Sequence, residues 1–389
     1  MQLDLSDAER GLEGEWRAFT ADLTPATRAA WTRQGWIPRS VVDAAPHARP
    51  RHPSPGHPRP GHPAGPPATP GWAPDPADAI SIMESARLHE GAPELLAGAM
   101  LRRFLDATLG SATPRNGSHE ADPPGCLILP SWSSDSAQPL SLTCRRAADG
   151  LRLDGVGTAL AADCSASRAW VVAAFPGAEP TEGCVAETAL ARHAAPPGRG
   201  GPDGYQVWRD HAPHRFDGVS ADLGADRGAG ALLTAGQLTA LRDLTRIGAA
   251  CVLVGLIDTV FDAIVAQAQR QAAASADRWA AQADKHRGVG IAMHRDIAWL
   301  HLFRALDAFG DPGARAMFSA LALTEAAAGL GHAIDDRRRA ARLAGHDDVL
   351  LAASLAAAQR GFWLELAGGS GALTQAVSAA QLGNVTGPR

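Results

Sequence analysis

The chain has 389 residues, which can bury a large core and form two or three structural units, and its 46% apolar and 20% charged residues are ordinary for a soluble globular protein. The net charge of −5 gives no reason to expect nucleic acid, and neither a basic helix nor an apolar run of roughly 20 residues suggests a membrane. The five cysteines are odd in number and lack Cys-x-x-Cys spacing, and no signal peptide is recognisable, so we expect a cytoplasmic protein with reduced thiols.

The N-terminal region is predicted to be helical. Ser6 is followed three residues later by Glu9, the spacing of a capping box, in which two side chains satisfy amides at a helix start. Apolar residues then recur at helical spacing as far as Phe19. A second helix is predicted from about Thr24 to Gln34.

The helical spacing of apolar residues is absent between Ala44 and Ala77, where proline and glycine dominate. Such a segment cannot bury enough apolar surface to offset the chain entropy, so we expect a disordered or polyproline-like insert. Its histidines recur every fifth residue, which suggests metal binding, but proline prevents a compact ligand cage, and we predict no metal site. These histidines are His47, His52, His57 and His62.

The remainder divides into a helical, a strand-rich and a second helical part. Helical periodicity returns over 78–109, and short apolar runs separated by Gly, Asp and Pro then predict strands from Cys126 to about Val219. After Gly230, four long alanine-rich segments are typical of a helical bundle. We therefore predict three domains, 1–125, 126–230 and 231–389. The four segments are Ile247 to Gln271, Gly290 to Phe309, Pro312 to Leu343 and Asp347 to Ala367.

Residues 127–135, in the first predicted strand and the turn after it, read L-I-L-P-S-W-S-S-D. This segment resembles the flavin-binding signature L-T-E-P-x-A-G-S-D of acyl-CoA dehydrogenases, and Pro130, Ser134 and Asp135 match it. Weaker matches follow in the family's order, since D-G-L-R-L-D-G at 149–155 is similar to D-G-Y-x-L-N-G, and G-G-S-G at 368–371 matches G-G-x-G. The resemblance implies an α+β fold with an N-terminal helical domain, a central β-barrel domain and a C-terminal four-helix bundle.

The resemblance also implies which residues would hold FAD. The turn containing Pro130, Ser133 and Ser134 would meet the flavin and its pyrophosphate, because a hydroxyl and exposed amides suit an anionic phosphate. Trp132 replaces a small residue, and it either stacks on the flavin ring or fills the pocket that the ring has vacated. The family's ring-covering element W/F-I-T/S-N reads A-L-A-A at 159–162, so a flavin would lose a stacking surface and a hydroxyl together. FAD is therefore either retained on fewer contacts or lost.

Two further cofactor elements are present in altered form. The family's R-x-Q-F-G element carries an arginine that reaches the adenine end of the flavin in the partner subunit. Arg270 is a candidate remnant of this arginine, although Phe-Gly does not follow it, and Arg304 is the alternative. Gly368 and Gly369 keep the G-G-x-G turn and complete the set of residues predicted to bind the cofactor.

The catalytic base is not where the family usually has it. A glutamate normally follows the G-G-x-G turn, but no carboxylate occurs after Gly371. A subset of the family places its base on the first bundle helix. Asp258 and Asp262 lie one turn apart there, and burial would raise an aspartate's pKa towards a useful range. The alternative is that both belong to the helix's solvent-facing stripe.

These observations predict an acyl-CoA dehydrogenase-like protein that acts on an acyl thioester, bound to CoA or to a carrier protein, in bacterial specialised metabolism. A first alternative is an enzyme that has lost flavin and catalyses a redox-neutral elimination, isomerisation or cyclisation. A second is a non-catalytic subunit that completes a hetero-oligomer with an intact paralogue. Family precedent implies a homodimer or homotetramer otherwise, and because one scaffold hosts several chemistries the choice stays open.

Overall fold

The computed structural model describes residues 5–34, 36–46, 72–89, 91–109, 126–132, 141–147, 150–160, 168–175, 183–189, 204–206, 214–221, 232–274, 278–344 and 347–385. Most of the predicted Pro/His-rich insert, residues 47–71 with all four histidines, lies outside these ranges. The described chain resumes at Trp72, whose ring packs edge-on against Phe104 and Phe309 at centroid distances of 5.5 and 6.1 Å. Trp72 thus anchors the end of the insert to the helical core.

The described N-terminal part contains five helices. The predicted capping box is confirmed, because the Glu9 amide donates to the Ser6 hydroxyl and the Ser6 amide donates to the Glu9 carboxylate. The periodicity over 78–109 belongs to two helices rather than one. The chain turns after Ser85. Pro93 lies in the first turn of the second helix, where its missing N–H has no intrahelical partner to lose. The helices are α1 (Asp7–Ala21), α2 (Pro25–Gln34), α3 (Arg39–Asp43), α4 (Pro76–Ser85) and α5 (Ala92–Thr108).

The described residues also contain nine strands, and seven of them form one curled sheet. The other two, at 36–38 and 204–206, pair antiparallel and join the N-terminal helices to the strand region. The strands are β1 (Trp36–Pro38), β2 (Cys126–Pro130), β3 (Leu142–Ala147), β4 (Gly150–Ala159), β5 (Arg168–Ala174), β6 (Gly183–Ala189), β7 (Gly204–Gln206), β8 (His214–Ala221) and β9 (Leu232–Leu233).

β2 and β3 follow one another along the same position in the sheet. Both strands lie between β4 and β5, with β2 beside residues 157–159 of β4 and β3 beside residues 150–155. The Ser141 amide donates to the Ser131 carbonyl at 3.2 Å, and the Ser131 amide donates to the Ser141 hydroxyl at 2.8 Å. Ser131 and Ser141, which flank the predicted signature turn, therefore lie side by side at the sheet.

The outer strands bring the two sides of the sheet together. β8 pairs with the remaining side of β4, and β6 pairs with the remaining side of β5. The Thr188 hydroxyl on β6 donates to the Ser220 carbonyl on β8 at 3.2 Å. This hydrogen bond brings the two outer strands of the curled sheet together, in the arrangement of the predicted barrel.

Alternate side chains divide between the barrel interior and the helices. Ile128 and Val171 lie in the interior cluster, whereas their neighbours Leu127 and Val172 belong to the larger cluster formed by the helices. This alternation follows from the two-residue period of a strand. One outer face of the barrel is therefore a wall of the helical core.

The described C-terminal part contains five helices, so the four predicted segments are accompanied by a further one. Gly368 and Gly369 adopt φ values of +97° and +75° and redirect the chain between the last two helices. The missed helix follows this glycine turn directly. The helices are α6 (Ala235–Ala274), α7 (Arg278–Asp307), α8 (Pro312–Ala344), α9 (Asp347–Leu366) and α10 (Gly369–Val385).

Two of these helices are long and apolar enough to cross a membrane, at Ala235–Asp262 in α6 and Pro312–Arg339 in α8. Within the fold, 83% and 56% of their most apolar windows are buried, as in core helices. α6 is central, because Gly248 packs against Met100 of α5 and Gly255 packs against the main-chain carbonyl of Met83 in α4. A Cβ at Gly255 would overlap that carbonyl, so the crossing of α4 and α6 requires glycine.

Candidate functional site

Several predicted cofactor residues meet where the barrel joins the C-terminal helices, a region we call the junction. The Trp132 amide donates to the carbonyl of Leu366, the last residue of α9, at 3.2 Å. A Cβ at Gly368 would overlap the Trp132 carbonyl, and Gly369 follows at the start of α10. Pro130 is buried at the end of β2. The junction therefore unites Pro130, Trp132, Gly368 and Gly369.

The Trp132 side chain is enclosed at this junction. It is 6% exposed and belongs to the apolar cluster of the helices. Its indole Nε1 has no hydrogen-bond partner among the residues described. At the end of β4, Leu160 is fully buried and packs on α5, where a Cβ added to Gly98 would lie 3.7 Å from the Leu160 side chain.

The described residues at these positions are a poor fit for a flavin. Ala159 and Leu160 stand at the element that resembles the ring-covering one, and they supply neither an aromatic surface nor a hydroxyl. The Trp132 indole, the remaining aromatic group, is packed among apolar side chains. Ser133 and Ser134, predicted to meet the pyrophosphate, lie outside the described residues, as does the side chain of Arg270 in α6.

A buried polar chain, which the sequence reasoning missed, links α5 to α9 beside the junction. Trp363 Nε1 donates to Gln359 Oε1 at 3.1 Å, and Gln359 Nε2 donates to Glu94 Oε2 at 3.1 Å. An indole N–H can only donate, so it turns the amide oxygen of Gln359 towards Trp363 and the amide nitrogen towards Glu94. The Glu94 carboxylate is therefore oriented by a fixed donor.

Glu94 is close to the barrel as well as to α9. Its charge acts on the thiol of Cys126, the first residue of β2, whose pKa burial raises to about 12. Cys126 in turn lies 4.0 Å from the Leu160 carbonyl. Glu94 itself is 0% exposed, which is rare for a glutamate and marks it as a candidate functional group. Its sequence context, Pro93-Glu94 in the first turn of a helix, is also typical of exposed residues and gives no signal of burial.

The two predicted catalytic aspartates lie elsewhere on α6, and arginines from other elements pair with both. Arg295 Nη1 in α7 donates to Asp258 Oδ1 at 3.1 Å. Arg87, just after α4, donates from Nη1 to Asp262 at 2.5 Å and from Nε to Glu84 at 2.8 Å. We call these five residues the ion-pair ladder. The arginines that donate to its two aspartates lie next to α4 and in α7, not in the described barrel strands.

Burial distinguishes the two aspartates. The side chain of Asp258 is 17% exposed, and that of Asp262 is 57% exposed. Burial raises the pKa of Asp258 against the opposing effect of Arg295, and it raises the pKa of Glu84 against the effect of Arg87. Asp258 is therefore the better placed of the two to hold a proton. The described residues contain no group of His, Cys, Asp and Glu that could hold a metal ion.

Comparisons with known proteins report on the fold. No protein-family profile matches the chain, and no curated protein matches its sequence. Among solved structures, butyryl-CoA dehydrogenase from Megasphaera elsdenii is 12% identical with a TM-score of 0.65, over 98% of this chain and 100% of that one. The FAD complex of PigA is 13% identical with a TM-score of 0.64, over 98% and 99%.

A third similar structure is FkbI, which serves biosynthesis of a methoxymalonyl extender unit. It is 15% identical with a TM-score of 0.59, over 95% of this chain and 99% of that one. At such identities the likeness reports architecture, and it extends over nearly all of both chains. The helical, barrel and helical parts follow one another as in these proteins, so the chain has the acyl-CoA dehydrogenase fold.

Proposed function

We propose that this protein acts on an acyl thioester, bound to CoA or to a carrier protein, at the junction between barrel and C-terminal helices. The observation that carries the proposal is the buried Glu94 carboxylate, oriented by Gln359 and Trp363 of α9, the helix whose last residue accepts from the Trp132 amide. Similarity in fold to butyryl-CoA dehydrogenase supports the thioester, and similarity to FkbI supports a role in bacterial specialised metabolism. We also propose that the protein is cytoplasmic.

The reaction that best suits these residues is a proton transfer at the carbon α to the thioester. The Glu94 carboxylate takes the α proton, and the electron pair of the C–H bond passes to the thioester carbonyl as an enolate. Return of a proton to carbon gives exchange or isomerisation, and loss of a β substituent gives elimination. No electrons are gained or lost, so the step needs no flavin. A base enclosed in apolar surroundings meets the substrate without competing water.

FAD-dependent dehydrogenation is the second candidate function. Similarity to the FAD complex of PigA favours it, whereas the buried Trp132 indole and the aliphatic Ala159 and Leu160 oppose it. Asp258 remains the base to consider in that case, since its pKa is raised by burial on the helix where part of the family has its base. FAD, when bound, would accept a hydride from the β carbon.

Deuterium exchange tests the proposed step without knowledge of the natural substrate. Butyryl-CoA and glutaryl-CoA are incubated with the protein in D₂O, and loss of the α-proton signal is followed by NMR. We expect catalysed exchange by the wild type and at least about a hundredfold slower exchange by Glu94→Gln, within the range of a general base. Glu365→Gln, at an exposed position of α9, is the matched control and should exchange normally.

Each other outcome identifies a different activity. If Asp258→Asn abolishes exchange and Glu94→Gln does not, the base is on the ion-pair ladder. A purified protein that is yellow, or becomes so on incubation with FAD, supports the dehydrogenase. Absence of exchange with either thioester, together with co-purification of a paralogue, supports a non-catalytic subunit and overturns the proposal.

A self-association surface is a further part of this proposal. Val289, Met293 and Ile297 lie four residues apart on α7 and are 57%, 59% and 37% exposed. Such spacing places them on one helix face, and exposed apolar stripes are common at contacts between subunits. We propose that this face contacts a second copy in a homodimer or homotetramer.

A further inference from the structure

A second buried charge cluster lies between α6 and α8, apart from the junction and the ladder. Asp243 is its acidic member, and three arginines surround its carboxylate. Arg242 reaches Asp243 Oδ1 at 3.1 Å, and Arg315 Nε donates to Oδ2 at 2.9 Å. Arg246 Nη1 lies 3.5 Å from Oδ1, within ion-pair range but without a hydrogen bond. Arg315 also donates to the Phe309 carbonyl at 2.7 Å.

The charges in this cluster do not balance. Three guanidinium groups face one carboxylate, which leaves a surplus of two positive charges among the side chains described. Neighbouring hydroxyls are occupied, since Thr245 donates to the Leu241 carbonyl and Ser319 to the Ala316 carbonyl. Solvent does not compensate either, because Arg246 and Arg315 are 2% and 1% exposed.

Arg246 is the member without a full set of partners. Its Nε and Nη1 atoms are buried and have no hydrogen-bond partner in the described part of the chain. Burial and the nearby Arg242 lower its pKa to about 10, although Asp243 opposes the shift. A buried guanidinium with unused donors is costly, so the Arg246 donors favour a negatively charged partner.

We propose that Arg242, Arg246 and Arg315 form a binding site for a phosphate group. A phosphate dianion matches the surplus of two charges, and its oxygens accept from the forked donors of a guanidinium. Arg242 is 30% exposed and forms the rim, while Arg246 forms the floor. Asp243 and the Phe309 carbonyl position Arg315 and hold the cluster together without any ligand.

Thermal unfolding in buffers of equal ionic strength tests the site. We expect inorganic phosphate, at about a hundred times its dissociation constant, to raise the Tm by several degrees relative to chloride. Coenzyme A and pantetheine are compared in the same way. Stabilisation by coenzyme A and not by pantetheine indicates a phosphoester ligand, whereas stabilisation by inorganic phosphate alone indicates the free ion.

Variants assign the effect to the cluster. Arg246→Met should be at least as stable as the wild type in phosphate-free buffer, because it removes an uncompensated cation, and should lose the response to phosphate. Arg246→Lys should keep part of the response, since it retains the charge without the fork. Arg242→Met, at the rim, should weaken phosphate binding about tenfold without opening the core. Arg339→Met, at an exposed position of α8, is the control.

The proposal is overturned if phosphate and coenzyme A stabilise the wild type no more than chloride does. It is also overturned if Arg246→Met and Arg242→Met respond to phosphate as the wild type does. A Tm that depends on protein concentration and not on phosphate would mean that a second subunit, and not phosphate, supplies the negative charge that pairs with the arginines. That result would overturn the proposal. None of these outcomes involves Glu94, so they are independent of α-proton exchange.

Discussion

Gly368 lies directly against the main-chain carbonyl of Trp132, at a φ of +97°. The same stretch of backbone is held by the hydrogen bond from the Trp132 amide to the Leu366 carbonyl, 3.2 Å long. The barrel and the bundle are therefore joined here through main-chain atoms, and the glycine pair of the G-G-x-G motif has a structural reason independent of any cofactor.

Replacing this glycine should loosen the junction. For Gly368→Ala we expect the free energy of unfolding to fall by about 2–5 kcal/mol, because a Cβ adds backbone strain at positive φ and overlaps the Trp132 carbonyl. Gly361→Ala is the matched control on α9, where a Cβ meets nothing within 4 Å and should stabilise the helix by about 0.5–1 kcal/mol. Urea unfolding of both variants is the measurement, and equal stabilities would refute the contact.

Trp132 should act as a core residue. We expect Trp132→Ala to lower the free energy of unfolding by about 3–5 kcal/mol, the range for removal of a large buried aromatic side chain. Trp132→Phe should lower it less, because the lost indole N–H has no partner in the described structure. If Trp132 instead stacks on a flavin, Trp132→Ala would remove visible absorbance from the purified protein. Chemical denaturation measures the core role, and absorbance spectra measure flavin binding.

The pH dependence of stability should identify the burial of Asp258. Its pKa is raised above 3.8 in the folded state, where Arg295, Arg87, Asp262 and Glu84 surround it. The folded state therefore binds its proton more tightly, and the resulting stabilisation is present below pH 3.8 and lost as the pH rises through the folded-state pKa. An asparagine at position 258 does not bind this proton, so it lacks this pH-dependent stabilisation.

Asp258→Asn should accordingly gain stability relative to the wild type as the pH rises from about 4 to about 7. Asp296→Asn, which removes the more exposed partner of the same Arg295, is the control. Urea midpoints across the pH range supply the comparison. If Asp258→Asn instead loses stability relative to the wild type as the pH rises, the ion pair with Arg295 outweighs the effect of burial.

The α7 stripe should govern subunit association. We expect Met293→Glu, which places a charge in the middle of the apolar face, to shift the protein towards monomers at micromolar concentrations. Gln375→Glu, at an exposed position of α10, introduces the same charge elsewhere and should leave the mass unchanged. Light scattering after size exclusion gives both masses. A wild type that is already monomeric would exclude this surface as an interface.

Local patterns predicted much of the fold. The capping box at Ser6 and the strand that contains Leu127 and Ile128 depend on near neighbours in sequence, and both are present as expected. The features of the fold that the sequence did not predict are also local. The periodicity over 78–109 did not reveal the turn after Ser85, and α10 was missed because its glycine-rich start, at Gly369, is also typical of a loop.

The sequence by itself determined the order of helical and strand-rich parts and the glycine turn, because periodicity, capping and positive φ act over a few residues. Only the tertiary structure decided which polar groups are buried. Glu94 meets Gln359 across 265 positions, and Arg246 is enclosed when α8 packs on α6. A residue's burial depends on which distant helix covers it, and that choice minimises the free energy of the whole core rather than of any one segment.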